Sequence, residues 1–237
     1  MELLEIWRYP VKSLGGERLE HAELTPLGID GDRRWGVRDD ATGNILTGRR
    51  EPGLLMLSAV HQGPGERPLV TSASGDKLDT DADLSDHLGR PVTLLAAGDE
   101  GGTYEVPLDP GVEEDWASWQ GPGLAWHDSP KSRVSLVGTD TLRSWDIRRF
   151  RTNLVLRGGG EDSLVGSRMQ LGGATFDVTK PIDRCVMVTR PQPGGIERDL
   201  DVLKTINRER DGNLSVGALI VEPGPLAVGD TLTAVGS

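Results

Sequence analysis

One cysteine in 237 residues, Cys185, excludes an internal disulfide, a CxxC redox pair, a cysteine-rich zinc site and an all-cysteine iron–sulfur cluster. A reduced, cytoplasmic compartment is the expectation that follows. The four histidines, at 21, 61, 87 and 127, have no paired spacing suited to zinc. No GxSxG elbow is present, which argues against an α/β-hydrolase. Gly158-Gly159-Gly160 lacks the spacing and βαβ context of a dinucleotide fold. No stretch approaches the ~18 uninterrupted apolar residues of a membrane helix. The acidic start Met1-Glu2-Leu3-Leu4-Glu5 does not read as a secretory leader. Lysine is scarce too, supplying five of 26 basic residues (12, 77, 131, 180 and 204).

What remains is arginine-rich but acidic overall, with a formal charge of −11. Such a body offers no general attraction to nucleic acid or an anionic membrane, so neither is an expected partner, and any anionic ligand needs a local basic site. Arginine binds phosphate bidentately and stays charged. The excess fits such a site or a compositional bias, and position has to decide.

The 32 glycines and 15 prolines punctuate short alternating segments along the chain. That pattern predicts a mostly β, barrel-like fold with a few short helices, organised as two packed β-rich domains. Strands are expected over 3–9, 18–24, 34–38, 44–47, 54–60 and 69–72, and then over 133–137, 153–156, 168–171, 174–178, 185–189, 214–222 and 231–235. Helices are expected at 83–88 with Asp83 as N-cap, at 139–145 capped by Thr139 or Asp140, and at 199–208 from the apolar spacing of Leu200, Leu203 and Ile206. The boundaries drawn are 1–97, an irregular connection over 98–130, and 131–237. The connection is dense in Gly, Pro and acid yet holds Trp116, Trp119 and Trp126, as a surface insertion or a substrate lid.

Several residues bear chemistry. Cys185 follows Lys180-Pro181-Ile182-Asp183-Arg184 and precedes Arg190. Cations beside a thiol favour the thiolate, the metal-binding form, although a lone cysteine also serves as a small buried hydrophobe. Lys12-Ser13, followed by Gly15-Gly16 in a loop between strands, has the makings of a phosphate cradle without P-loop spacing. Arg33-Arg34, Arg49-Arg50 and Arg148-Arg149-Phe150-Arg151 stand out against the acidic background.

In order, the chain carries Tyr-Pro-Val-Lys-Ser (9–13), Gly28-Ile29-Asp30-Gly31-Asp32-Arg33-Arg34-Trp35 and Thr47-Gly48-Arg49-Arg50-Glu51-Pro52. Phe150-Arg151-Thr152-Asn153, Asp183-Arg184-Cys185, Leu203-Lys204-Thr205 and Val228-Gly229-Asp230 follow. This order resembles the MOSC family, the C-terminal domain type of molybdenum-cofactor sulfurases, preceded by the β-barrel domain often fused to it. It is similar in particular to the amidoxime-reducing components.

The resemblance implies the molybdenum cofactor, a molybdopterin, with Cys185 as the thiolate on the metal; pyridoxal phosphate is not expected. It places Lys12, Ser13 and Arg33 on the pterin phosphate, and Arg151, Asn153 and Arg184 on phosphate or pterin. It implies an oxidoreductase acting on small N-hydroxylated substrates. A cofactor carrier or sulfur-transfer module is the alternative. The chain departs from the family pattern at Asp183, where a small polar residue is common, and Asp183 becomes either a proton donor or acceptor beside the metal or a loop cap. With no ferredoxin-type cysteines, electrons are expected from a separate donor protein of ferredoxin or flavoprotein type.

Overall fold

The computed structural model describes residues 1–109 and 112–236, with the backbone alone over 107–109 and 112–115. Its largest sheet has eight strands, in the order Thr233–Ala234, Arg168–Leu171, Ala174–Asp183, Asn213–Glu222, Val134–Gly138, Leu154–Leu156, Leu3–Arg8 and Glu17–Leu19. Every neighbour is antiparallel except the pair Val134–Gly138 and Leu154–Leu156. A parallel pair needs a crossover. Here it runs through the single turn Thr139–Leu142 and the 3₁₀ turn Ile147–Arg149.

Side chains alternating along these strands feed two different cores. Leu154 and Leu156 join one core with Leu3, Leu136 and Phe176, while Val155 points to another with Val137, Leu214 and Val188. Both faces being covered explains why Leu154-Val155-Leu156 is an unbroken apolar run. The helix Leu200–Arg210 closes the second face with Val202 and Ile206, and Asp199 caps its start by accepting from the Asp201 amide at 2.9 Å.

The N-terminal half has its own core around Val11, Leu14, Val37, Leu54, Leu57 and Leu84. Its hairpin-like pairs are Trp35–Asp39 with Val92–Ala96 and Ser58–Val60 with Leu69–Thr71. The chain is thus mostly β with few short helices. The two halves interlock, since Leu3–Arg8 adds to the sheet built by residues 134–234.

Several local expectations need correction. The helix Asp81–Leu88 is capped by Thr80, with Asp83 in the third position: Asp83 N donates to Thr80 Oγ1 at 3.1 Å and Thr80 N to Asp83 Oδ2 at 2.9 Å. That reciprocal box outcompetes a cap at Asp83 itself. The second expected helix is one turn, Thr139–Leu142, with Gly138 rather than Thr139 or Asp140 at its cap, and Arg143 at φ 56 ends it. Residues 44–47 form no strand, because Trp35–Asp39 pairs instead with Val92–Ala96 and only Ile45 bridges to it. Before Ser58–Val60 the chain makes the 3₁₀ turn Pro52–Met56, started by Pro52. The supposedly irregular 98–130 stretch contains the paired strands Thr103–Asp109 and Val112–Gln120. There Trp119 faces Tyr104 directly, a cross-strand aromatic pair that favours pairing over loop. Cys185 begins no strand: the sheet stops at Asp183, and Val186–Thr189 is a 3₁₀ turn preceded by Cys185.

Candidate functional site

A cavity of about 420 Å³ is lined by all eight residues singled out from the sequence: Lys12, Ser13, Arg33, Arg151, Asn153, Asp183, Arg184 and Cys185. Three of them, Ser13, Arg33 and Arg151, are non-glycine residues with φ of 70°, 53° and 52°. Left-handed backbone at such residues costs energy and persists where the surroundings over-determine it, commonly at functional sites. Ser215, outside that lining and also left-handed at φ 79°, accepts a hydrogen bond from Arg184.

Arg33 and Arg151 share Tyr9. Their guanidinium carbons lie 5.4 Å and 4.5 Å from the centroid of its fully buried ring. Arg33 is also paired with Asp32, whose other oxygen accepts from the Tyr9 amide at 2.7 Å. Burial works against the Arg33 charge, but Asp32 outweighs it and holds the pKa above its ordinary value. Arg151 lacks a partner carboxylate among the described residues. Burial, and then the neighbouring Arg33, pull it down to about 10. Among the described residues its guanidinium makes one hydrogen bond, to Val11 O at 3.3 Å, which leaves most of its donors for a ligand. Burial likewise raises the Tyr9 hydroxyl far above the usual range.

Lys12 is 4% exposed. Its ammonium donates to Trp126 O at 3.2 Å and to Asp128, and sits 4.3 Å from the centroid of Tyr104. Burial lowers its pKa, with Asp128 opposing. The Asp128 side chain is 84% exposed, on the cavity side. The enclosing wall disfavours its charge, yet Lys12, Arg33 and Arg49 outweigh that and hold the carboxyl at about 2. Ser13 Oγ accepts from Gly48 N at 2.9 Å. The Gly15 amide is not free to cradle a ligand, because it donates to Leu57 O at 2.8 Å.

Arg184 and Asn153 are largely spent on the protein. Arg184 donates to Leu214 O and Phe150 O, each at 2.8 Å, to Thr152 Oγ1 at 3.2 Å, and to Ser215 Oγ. None of these is a carboxylate, and burial brings its pKa to about 10, against the adjacent Cys185 and Asp183. This clamp fixes the backbone on which Cys185 rides. Asn153 is 2% exposed. Its Oδ1 accepts from Ser135 N at 3.2 Å and Ser135 Oγ at 3.0 Å, and its Nδ2 donates to Trp7 O at 3.1 Å. Cys185 is free and part-exposed. Asp183 is 79% exposed and only loosely paired with Lys180, at 3.6 Å.

Sequence reasoning missed Tyr104, Asp128 and Arg133 in the wall. It noted Thr47 and Arg49 within a family motif, and Arg49 and Arg149 within basic clusters, without giving any of them a role. The wall carries eight cations (Lys12, Arg33, Arg49, Arg133, Arg149, Arg151, Lys180, Arg184) against three acids (Glu105, Asp128, Asp183), inverting the sign of the whole chain. Thr47 Oγ1, Arg49 Nε and Tyr104 OH are buried there without a partner among the described residues. Buried polar atoms are ordinarily paired, so these orphans fit a polar, anionic ligand. Among the described residues no group of three or more His, Cys, Asp or Glu could hold a metal ion.

Comparisons agree with this architecture. The MOSC N-terminal β-barrel domain matches residues 1–103, and the MOSC domain matches residues 127–233. The chain belongs to the MOSC family and carries its N-terminal barrel domain. Molybdenum cofactor sulfurase from Drosophila melanogaster is 27% identical over 92% of the chain and 31% of its own length. The chain therefore spans about a third of that relative. Mitochondrial amidoxime reducing component 2 from Bos taurus is 40% identical over a shorter stretch, 24% of the chain and 18% of its own length. Among solved structures, the YUAD protein from Bacillus subtilis aligns with a TM-score of 0.46 at 12% identity, covering 98% of this chain and 93% of that one. No helix among the described residues is long and apolar enough to cross a membrane.

Proposed function

We propose that this cavity holds a molybdenum–pterin cofactor and that the protein reduces small N-hydroxylated compounds with electrons from a separate donor protein. The observation that carries the reading is one cavity wall containing both the lone free thiol, Cys185, and a cluster of cations around orphaned polar atoms. When bound, such a cofactor supplies the two-electron chemistry that takes oxygen from nitrogen. The soft Cys185 thiolate is the protein's ligand to the metal. Lys12, Ser13 and Arg33 hold the phosphate, with Arg151 beside them on the phosphate or pterin. Arg184 acts chiefly by fixing Cys185, and Asn153 chiefly by fixing the strands behind the site, with one N–H left to offer. Asp183, exposed next to Cys185, donates or accepts the proton that accompanies oxygen removal.

The test is natively expressed protein assayed for molybdenum, pterin fluorescence and reduction of benzamidoxime by a chemical reductant. Metal and pterin with turnover are expected, and a loaded but inert protein would count against the reductase reading.

The alternative, a cofactor carrier or sulfur-transfer module, draws on the sulfurase, whose similarity extends over 92% of the chain. Cofactor that passes readily to an apo-enzyme, without any reduction of N-hydroxylated compounds, would favour it.

A further inference from the structure

The paired strands Thr103–Asp109 and Val112–Gln120 fall almost wholly between the two segments that match family domains, residues 1–103 and 127–233. Yet they supply Tyr104, Glu105, Val106 and Trp119 to the cavity wall. One side of a site built otherwise from family segments is therefore made by a stretch outside them.

This hairpin is anchored at its base. Tyr104 is 1% exposed, bridges to Ile45, and packs against the buried Trp126 with ring centroids 6.0 Å apart. Ile45 N donates to Thr103 O at 2.8 Å. Farther out, Arg50 Nε donates to Glu105 Oε2 at 2.9 Å, and its guanidinium lies 4.6 Å from the centroid of Trp116. These contacts hold Thr103–Val106 and Trp116–Gln120 against the N-terminal half. Trp119 leans on Tyr104 at 5.5 Å with an interplanar angle of 35°, and part of its indole stays exposed.

We infer that this hairpin is the substrate-selecting wall of the cavity, and that Trp119 is the surface on which a flat ring of the substrate stacks. The inference rests on the reductase reading and narrows it to N-hydroxylated compounds bearing an aromatic or heteroaromatic ring. The physical reason is which ring in the lining is left open. Among the described lining residues Tyr104 and Phe150 are buried, whereas Trp119 keeps part of its indole exposed beside the half-buried Val106, apolar surface that a flat ring would cover. Offset or tilted ring pairs add to that burial.

The test uses natively expressed protein and two stable product analogues, benzamidine and acetamidine, titrated by calorimetry into wild type, Trp119→Ala, Trp119→Phe and Val106→Asn. Wild type should prefer benzamidine. Trp119→Ala should shrink that preference about tenfold, as expected for loss of a ring contact with its buried area. Trp119→Phe should restore most of it, and Val106→Asn should lower it partway. With benzamidoxime as substrate, the loss should fall in KM. An unchanged preference in Trp119→Ala overturns the inference, as does a wild type without preference. Should the alanine variant fail to fold, an undiminished preference in Val106→Asn overturns it equally. Wild type that prefers benzamidine but reduces no amidoxime sinks the reductase reading and leaves the wall standing. Reduction of both amidoximes without any ring preference does the reverse.

Discussion

The guanidinium of Arg33 donates to the carbonyl oxygen of Arg151 at 3.0 Å, joining a loop of the N-terminal half to one of the C-terminal half in one cavity wall. The two cations are not equivalent, and substitution should separate them. Arg33 neutralises Asp32, which is 0% exposed. Removing Arg33 strands that carboxylate, at a cost of about 3–5 kcal/mol in stability. Arg151 has no such dependent. Arg33→Ala and Arg151→Ala should each weaken inorganic phosphate binding about ten- to hundredfold, the worth of a charged hydrogen bond. Only Arg33→Ala should also lower the thermal midpoint sharply. Equal midpoints for the two variants would contradict the role given to Asp32.

Cys185 and Asp183 should separate in a similar way. Cys185 is part-exposed, so Cys185→Ala should leave the thermal midpoint of the metal-free protein within a few degrees of wild type. Molybdenum content should fall to background. Asp183→Asn removes a carboxylate that is 79% exposed and should keep the cofactor while slowing turnover. Unchanged kinetics in Asp183→Asn would reduce that residue to a loop cap.

Asn153 tests the distinction between holding a ligand and holding the walls. Its amide joins Ser135 on Val134–Gly138 to Trp7 on Leu3–Arg8. Asn153→Ala leaves the Ser135 amide and hydroxyl and the Trp7 carbonyl without these bonds. The cost should be about 2–4 kcal/mol in urea denaturation, from buried groups left unpaired. Phosphate affinity of the folded fraction should change far less than in Arg151→Ala. A normal denaturation midpoint with lost affinity would reverse the assignment.

The sequence held more of the proposed ligand set than of the walls. Lys12, Ser13, Arg33 and Cys185 stood in ordered short motifs, and motif order survives whatever the loops do. Of the adjacent pair, Arg33 lines the cavity and sits in the left-handed region, whereas Arg34 does neither. Asp128 and Tyr104 were invisible for a different reason. They meet only through pairings such as Ile45 with Tyr104 and Lys12 with Asp128, which no local period announces. The 103–120 hairpin was hidden by its Gly- and acid-rich surroundings. The Trp119–Tyr104 pair that supports it is a contact across strands, 15 residues apart in sequence. At residues 185–189 the apolar, β-branched run suggested a strand, but the segment is a 3₁₀ turn that puts Val188 into the core.

Acid should loosen the protein through His127. This side chain is 5% exposed, and its Nε2 pairs with Leu27 O at 2.9 Å, an arrangement in which the nitrogen must donate. Burial, followed by the charges of Arg33 and Arg133, lowers its pKa from 6.5 to about 4, with Asp32 and the Leu27 bond only partly opposing. Between those two values the unfolded chain takes up a proton that the folded chain refuses. Stability from this group is therefore complete above pH 6.5 and is lost as pH falls toward 4, by up to about 1.4 kcal/mol per pH unit. Urea midpoints at pH 7.0, 5.5 and 4.5 should fall accordingly in wild type. In His127→Gln, whose amide can still donate to Leu27 O, the decline over that window should be much shallower. Parallel declines in the two proteins would place the acid sensitivity elsewhere.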